Sequence, residues 1–343
     1  MTYASLERRL RAGLVSRSRS SHAFAAHVIA NFGFKGTLGR YDSGVVLAQQ
    51  LLSEARRKVW RSFWATTLGA LMCCALLLDQ RAWAAGDGIA LAPHRAIYEM
   101  TLANTRGGTG VSSVVGRMAY DLTGSACEGY TQNMRFVTRM TNQSGSTVVT
   151  DLRSSTWEDG RGKRFRFDSS QFRDEKATDT AAGDAARPGA TDDIKVELTK
   201  PAKKNISLPA RVYFPMQHTI ALINAAKAAK TSFRADLYDG SEKGEKVYDT
   251  VAALGRAQPP GGNRRLPEAR NADRLNGLRA WPVSIAYFEP ETDRLDALPV
   301  YELTFLMFEN GVSRKLHIDY GGFALQGELT EITFHELSKC EQK

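Results

Sequence analysis

Cysteine is scarce in this chain: there are four in 343 residues, and two of them, Cys73 and Cys74, lie inside a single apolar run. Outside that run no Cys-x-x-Cys pair occurs, so zinc binding and thioredoxin-like redox chemistry lack their usual sequence basis. Histidine is equally thin. After the apolar run only His94, His218, His317 and His335 remain, none with a second histidine at metal-ligand spacing, and each reads as structural. Gly-x-Ser-x-Gly is absent; Ser125, in Gly124-Ser125-Ala126-Cys127, follows a strand pattern with no helix behind it. Gly107-Gly108-Thr109-Gly110 lacks the Gly-Lys-Thr ending of a phosphate-cradling loop. No catalytic set, cofactor site or metal site is expected.

Charge of one sign is also missing where it would matter. The formal net charge is +9, but residues 1–85 hold 12 Lys or Arg against four acids, which leaves 34 basic and 33 acidic side chains from residue 86 onward. A balanced surface offers no footprint for phosphate backbones, so nucleic acid is not expected as a partner. The apolar content of 43% with 24% charged residues is that of an ordinary globular domain with a sizeable core.

The one long apolar run has a defined setting. Arg56, Arg57, Lys58 and Arg61 precede Phe63 to Leu78, and Ala82-Trp83-Ala84 follows with small residues at the positions a signal peptidase reads. The run is shorter than the ~20 residues that span a bilayer, and Asp79, Gln80 and Arg81 end it. A secretory signal cleaved after Ala84 or Ala85 is expected, with no stable membrane span afterwards; an uncleaved anchor is the alternative. Residues 1–55 are unusual ahead of a signal and read as an over-long gene start, the true one falling near Val59 or slightly upstream, or else as a transit-like extension. The expected organisation is therefore 1–84 as extension plus signal, its core about 56–84, and 85–343 as a single exported domain.

In an oxidising compartment the two remaining cysteines, Cys127 and Cys340, are expected to pair, with free thiols or intermolecular pairing as the alternatives. Along the domain, period-two alternation dominates. Tyr130, Gln132, Met134, Phe136, Thr138 and Met140 alternate with Thr131, Asn133, Arg135, Val137 and Arg139. Similar runs occur at 165–167, 194–198, 298–308, 312–320 and 329–337, and less distinctly near 94–103, 112–122, 147–157, 203–208, 231–238, 246–254 and 280–288. Asn310-Gly311 marks a hairpin with positive φ at both turn positions. The count is about 12–14 strands, which must curl or close to protect their edges.

One helix is expected, starting at Pro215, with Met216, Ile220, Ile223 and Lys227 on one side and an end near Lys230. Its role is to cover the face of the sheet. Residues 174–191 and 255–279, rich in Ala, Asp and Gly or in Pro, Gly and Arg, read as loops, the second as a surface insertion. Asp236, Asp239, Ser241 and Glu242 crowd a turn whose spacing is not that of a calcium loop, so a polar hairpin turn is expected there. Glu158-Asp159-Gly160 reads as another turn.

Leu91-Ala92-Pro93-His94-Arg95-Ala96-Ile97-Tyr98, Gly124-Ser125-Ala126-Cys127-Glu128-Gly129-Tyr130, Thr150-Asp151-Leu152-Arg153 and Tyr238-Asp239-Gly240-Ser241 together resemble the EipB family of envelope-integrity proteins across nearly the whole of 89–340. The resemblance implies a mainly β, spiral-like broken β-barrel and a periplasmic protein needed for envelope integrity under stress. It implies no established enzymatic activity. It also implies the Cys127–Cys340 bridge. The leading functional expectation is a non-enzymatic factor acting through periplasmic protein partners. A lipid or lipoprotein carrier is second, with Met134, Phe136, Met140, Ile220 and Ile223 lining an apolar cavity. An unusual hydrolase acting on peptidoglycan is third.

Overall fold

The computed structural model describes residues 89–107, 110–261, 265–290 and 297–337. The expected extension and export signal, the expected cleavage site and Cys340 lie outside these residues. The described chain is mainly β, with fourteen strands: β1 (His94–Thr105), β2 (Val111–Ser125), β3 (Gly129–Asn142), β4 (Thr147–Glu158), β5 (Arg164–Arg173), β6 (Lys176–Ala186), β7 (Ile194–Lys200), β8 (Lys204–Leu208), β9 (Ser232–Leu237), β10 (Tyr248–Leu254), β11 (Ala280–Phe288), β12 (Tyr301–Phe308), β13 (Ser313–Asp319) and β14 (Phe323–Phe334). A single α-helix among the described residues, α1 (Pro215–Lys227), falls between β8 and β9.

All fourteen strands join one antiparallel sheet in the order β8-β7-β6-β5-β4-β3-β2-β1-β14-β13-β12-β11-β10-β9. The first strand pairs with the last, Ala96 opposite Ile332 and Tyr98 opposite Leu329. From that pair two meanders run outward, and they end at β8 and β9, the two edges. The chain leaves one edge at Leu208 and re-enters at the other at Ser232 through α1. The sheet is thus a barrel interrupted at a single place, as expected for its strand number.

Side chains rather than ladder hydrogen bonds span that interruption. Phe165 and Phe167 of β5, Ile194, Val196 and Leu198 of β7 and Leu208 of β8 share one buried cluster with Val212, Phe214 and Tyr238 beside β9. The Phe165 and Phe214 rings lie 5.1 Å apart, and Tyr238 meets Phe167 edge-on at 5.7 Å. Burial of each such ring contributes about 1.5–3 kcal/mol. Tyr213 forms a parallel bridge to Leu237, which covers the outer edge of β9.

Helix α1 starts at Pro215, where the missing N–H costs nothing. Phe214 supplies no side-chain cap. The capping comes from another element: the buried Glu158 carboxylate, at the end of β4, accepts from Met216 N at 2.7 Å and Gln217 N at 2.9 Å. Met216, His218, Leu222, Ile223, Ala225 and Ala226 are buried; Ile220 is half-buried and Lys227, expected on the same stripe, is exposed. Leu222 and Ile223 pack with Leu122 of β2, Tyr130 of β3 and Trp281, Val283 and Ile285 of β11.

Three local expectations are corrected. Lys176–Ala186 is not a loop but β6, paired to β5 and β7. Its Ala and Gly content hid it, yet small residues are what the site admits: a Cβ at Gly183 would lie 2.7 Å from the Glu197 carbonyl and 3.0 Å from the Phe167 ring. The 255–279 segment is not a surface insertion over its length. Leu275 is 1% exposed, Gln258 exchanges backbone hydrogen bonds with Ala280, and Arg270 exchanges them with Thr330 and Ile332 of β14. The reason is register: β13 pairs only with Ala324–Gly327, leaving the later part of β14 open on that side. Finally, the turn at Asn310-Gly311 is a three-residue loop closed by Phe308 N to Val312 O at 2.8 Å, with positive φ at Gly311 alone.

Candidate functional site

The structure scatters most of the residues singled out in the sequence. Cys127 is exposed in the β2–β3 turn and takes part in a disulfide. In the same turn Ser125 spends its hydroxyl on Glu128 N at 3.4 Å. His94 Nδ1 contacts Ala92 O at 2.7 Å, and burial lowers its pKa. His218 contacts Thr250 Oγ1 at 3.1 Å, and burial pushes it down to about 4. Among the described residues no group of three or more His, Cys, Asp and Glu stands at metal-binding geometry. Ser241 N donates to Asp239 Oδ1 at 2.9 Å, the local closure of an Asx turn, and burial raises the Asp239 pKa. Lys246 bridges Glu242 at 3.3 Å and Glu289 at 2.6 Å.

The five apolar residues that would line a carrier cavity are not brought together. Ile223 is fully buried and Ile220 packs against its cluster, whereas Phe136 and Met140 pack against a second cluster around Tyr98, Met100 and Leu325. Met134 faces the same way as Phe136 and Met140, opposite Tyr120 of β2, and it borders a furrow that opens on the other face of the sheet.

That furrow is built by strand register. Directly opposed residues share a sheet face, so Thr333, Arg95, Asp121, Asn133, Ser155 and Asp168 form one row across β14, β1, β2, β3, β4 and β5. Beside it runs a second row of Glu331, Ile97, Ala119, Arg135, Arg153 and Ser170. These face away from the buried side chains Ala96, Tyr98, Leu122 and Thr156 on the same strands. Two hollows result, of about 520 Å³ over β1–β5 and about 300 Å³ over β1 and β14, and Arg95 lines both.

The two banks of the furrow differ. On one, Arg135 grips Asp151 through two hydrogen bonds of 3.0 and 2.8 Å, and Arg153 reaches the same carboxylate at 2.7 Å. Hydrogen bonding to Arg135, then to Arg153, holds the Asp151 carboxyl at about 2. The Arg153 guanidinium also lies 4.9 Å over the Phe172 ring, which fixes it further. On the other bank Ser155 donates to Asn133 at 2.7 Å, Asp121 meets His335 at 3.0 Å and Asp168 meets Lys200 at 2.8 Å. Arg95 is exposed, and its guanidinium has no partner among the described residues. Chemically, the arrangement presents fixed cations along one side and carboxylate, amide and hydroxyl groups along the other. Sequence reasoning recognised the strands that carry these residues but not the furrow, because alternation reveals which residues share a face of one strand and not which residues of distant strands stand side by side.

Comparison with known proteins places this architecture. The EipB-like family model matches residues 85–336. The chain is 36% identical over 256 residues to the cell envelope integrity protein EipB of Brucella abortus (strain 2308), an alignment that spans 74% of this chain and 88% of that protein. It is also similar to a crystal structure described as a beta-barrel-like protein of a domain of unknown function from Brucella abortus, with a TM-score of 0.64 and 34% identity over 72% of this chain and 99% of the other. With the family model covering the described sheet from β1 to β14 and the relative matching over 74% of the chain, this chain belongs to the EipB-like family.

Proposed function

We propose that this protein maintains cell-envelope integrity from the periplasm, as a non-enzymatic factor that works by binding protein partners. The observation that carries the reading is the 36% identity, over 88% of its length, to a protein named for cell envelope integrity. Among the described residues no helix is long and apolar enough to cross a membrane, which accords with a protein released after signal cleavage. The Cys127–Cys340 bridge is part of the proposal: it would tie the β2–β3 turn to the chain's last residues once the protein reaches an oxidising compartment. The partner reading is favoured over the carrier reading by the division of Phe136, Met140, Ile220 and Ile223 between two packed clusters.

Native mass spectrometry of the protein isolated from cells under non-reducing conditions tests the proposal. The expected species starts near Ala85, is two hydrogens lighter than its reduced form, and carries no lipid. Copurifying lipid would replace the partner reading with the carrier reading, and an uncut leader would overturn the periplasmic assignment.

A further inference from the structure

We propose that the furrow across β14 and β1–β5 is a binding site for a glycan strand that bears carboxylates. It does not rest on the protein-partner reading above. Six adjacent strands at about 4.8 Å spacing give a track on the order of 24 Å long, and Arg95 lines both of its hollows. Small side chains, Ala119 and Ser170 on one bank and Ser155 on the other, separate the charged groups, so a chain of sugar rings can approach the sheet closely.

Three features select the ligand class. First, Arg135 and Arg153 are fixed by Asp151 before any ligand arrives, and Arg95 is uncommitted; a planar guanidinium suits a carboxylate better than any other simple anion save phosphate. Second, the facing bank offers Asp121 and Asp168, which accept from hydroxyl groups, and Asn133 and Ser155, which can accept and donate, so a ligand with many hydroxyl groups and widely spaced anions fits better than a densely charged polyphosphate. Third, the track crosses the strands at right angles, where the strand N–H and C=O groups are already paired within the sheet. An extended peptide, which gains most from free backbone edges, finds none there. Hydroxyl groups with interspersed carboxylates match both banks.

The test is isothermal titration calorimetry on the protein purified in its exported form, starting near Ala85. The probe is soluble peptidoglycan glycan strands stripped of stem peptides, which keep their lactyl carboxylates, and the control is a neutral dextrin of matched length. Saturable binding is expected, with the dextrin and the Arg95→Glu variant each weaker by about tenfold or more, in line with the loss of a charge-assisted contact. Arg95→Lys, which keeps the charge but loses the planar fork, is expected to fall between wild type and Arg95→Glu, and Ser155→Trp, which places a bulky side chain in the furrow, to abolish binding while the unfolding midpoint stays at the wild-type value. If Ser155→Trp fails to fold, the Arg95 pair still decides. Absence of binding, equal binding of both glycans, or binding indifferent to Arg95→Glu would overturn the proposal.

Discussion

Replacing Glu158 by alanine separates β4 from the first turn of α1, and the cost can be worked out from what the carboxylate does there. Its two oxygens accept from Met216 N and Gln217 N at 2.7 and 2.9 Å, while Phe214 contributes no side-chain cap. Loss of a helix cap costs about 1 kcal/mol, and buried donors left without acceptors cost roughly 1–3 kcal/mol each. Allowing the end of the helix to relax toward water, the expected loss is about 3 kcal/mol. Desolvation is the largest influence on the carboxyl and pushes its pKa up to about 8, against the lowering effect of the two N–H donors. The sign follows from proton counting. Between the unfolded pKa near 4.5 and the folded value near 8, the native state holds a proton that the unfolded state does not, so stability falls as pH rises through that window. The variant lacks this group, and its gap from wild type narrows between pH 5 and pH 8. Urea unfolding followed by tryptophan fluorescence at four pH values measures both effects. A loss below about 0.5 kcal/mol at pH 5, where the native state still gains from its proton, or a gap that widens with pH, would refute the reasoning; such a loss is too small for even one removed cap.

The seam that replaces barrel closure makes a second prediction. Gly240 has φ of +73°, and a Cβ there would lie 2.4 Å from Phe167, whereas Gly145, at φ +85°, has nothing within 4 Å. Gly145→Ala should cost about 1 kcal/mol for its backbone conformation, and Gly240→Ala about 3 kcal/mol because crowding of the ring is added; equal melting temperatures for the two would argue that the seam is loose. Cys127→Ser removes the proposed bridge, for which the chain-entropy model sets an upper limit of roughly 5 kcal/mol. The same drop is expected when wild type is reduced, with no further drop in reduced variant, and a wild type indifferent to reductant would remove the bridge from the account.

Much of the sheet was legible in the sequence because alternation is a local property: Tyr130 to Met140 reads as a strand and is β3, and Pro215 opens α1. β6 was not legible, since Ala181, Ala182, Gly183 and Ala185 carry little strand preference and are selected by the Phe167 and Leu198 side chains of neighbouring strands. Nor was the packing of 255–279, which depends on how much of β14 is left unpaired by β13. Sequence spacing gave no sign that Phe165 would meet Phe214 across the interruption, or that Arg95 and Asp168, four strands apart, would line one furrow. Long-range register decides both.

The most direct test of an envelope role is a clean deletion of the gene in its own bacterium, complemented in turn by the full chain and by a version lacking residues 56–84. The account predicts increased sensitivity to detergent and to cell-wall antibiotics, restored by the exported form alone. Unchanged sensitivity in the deletion strain, or rescue by the form without the signal, would contradict it.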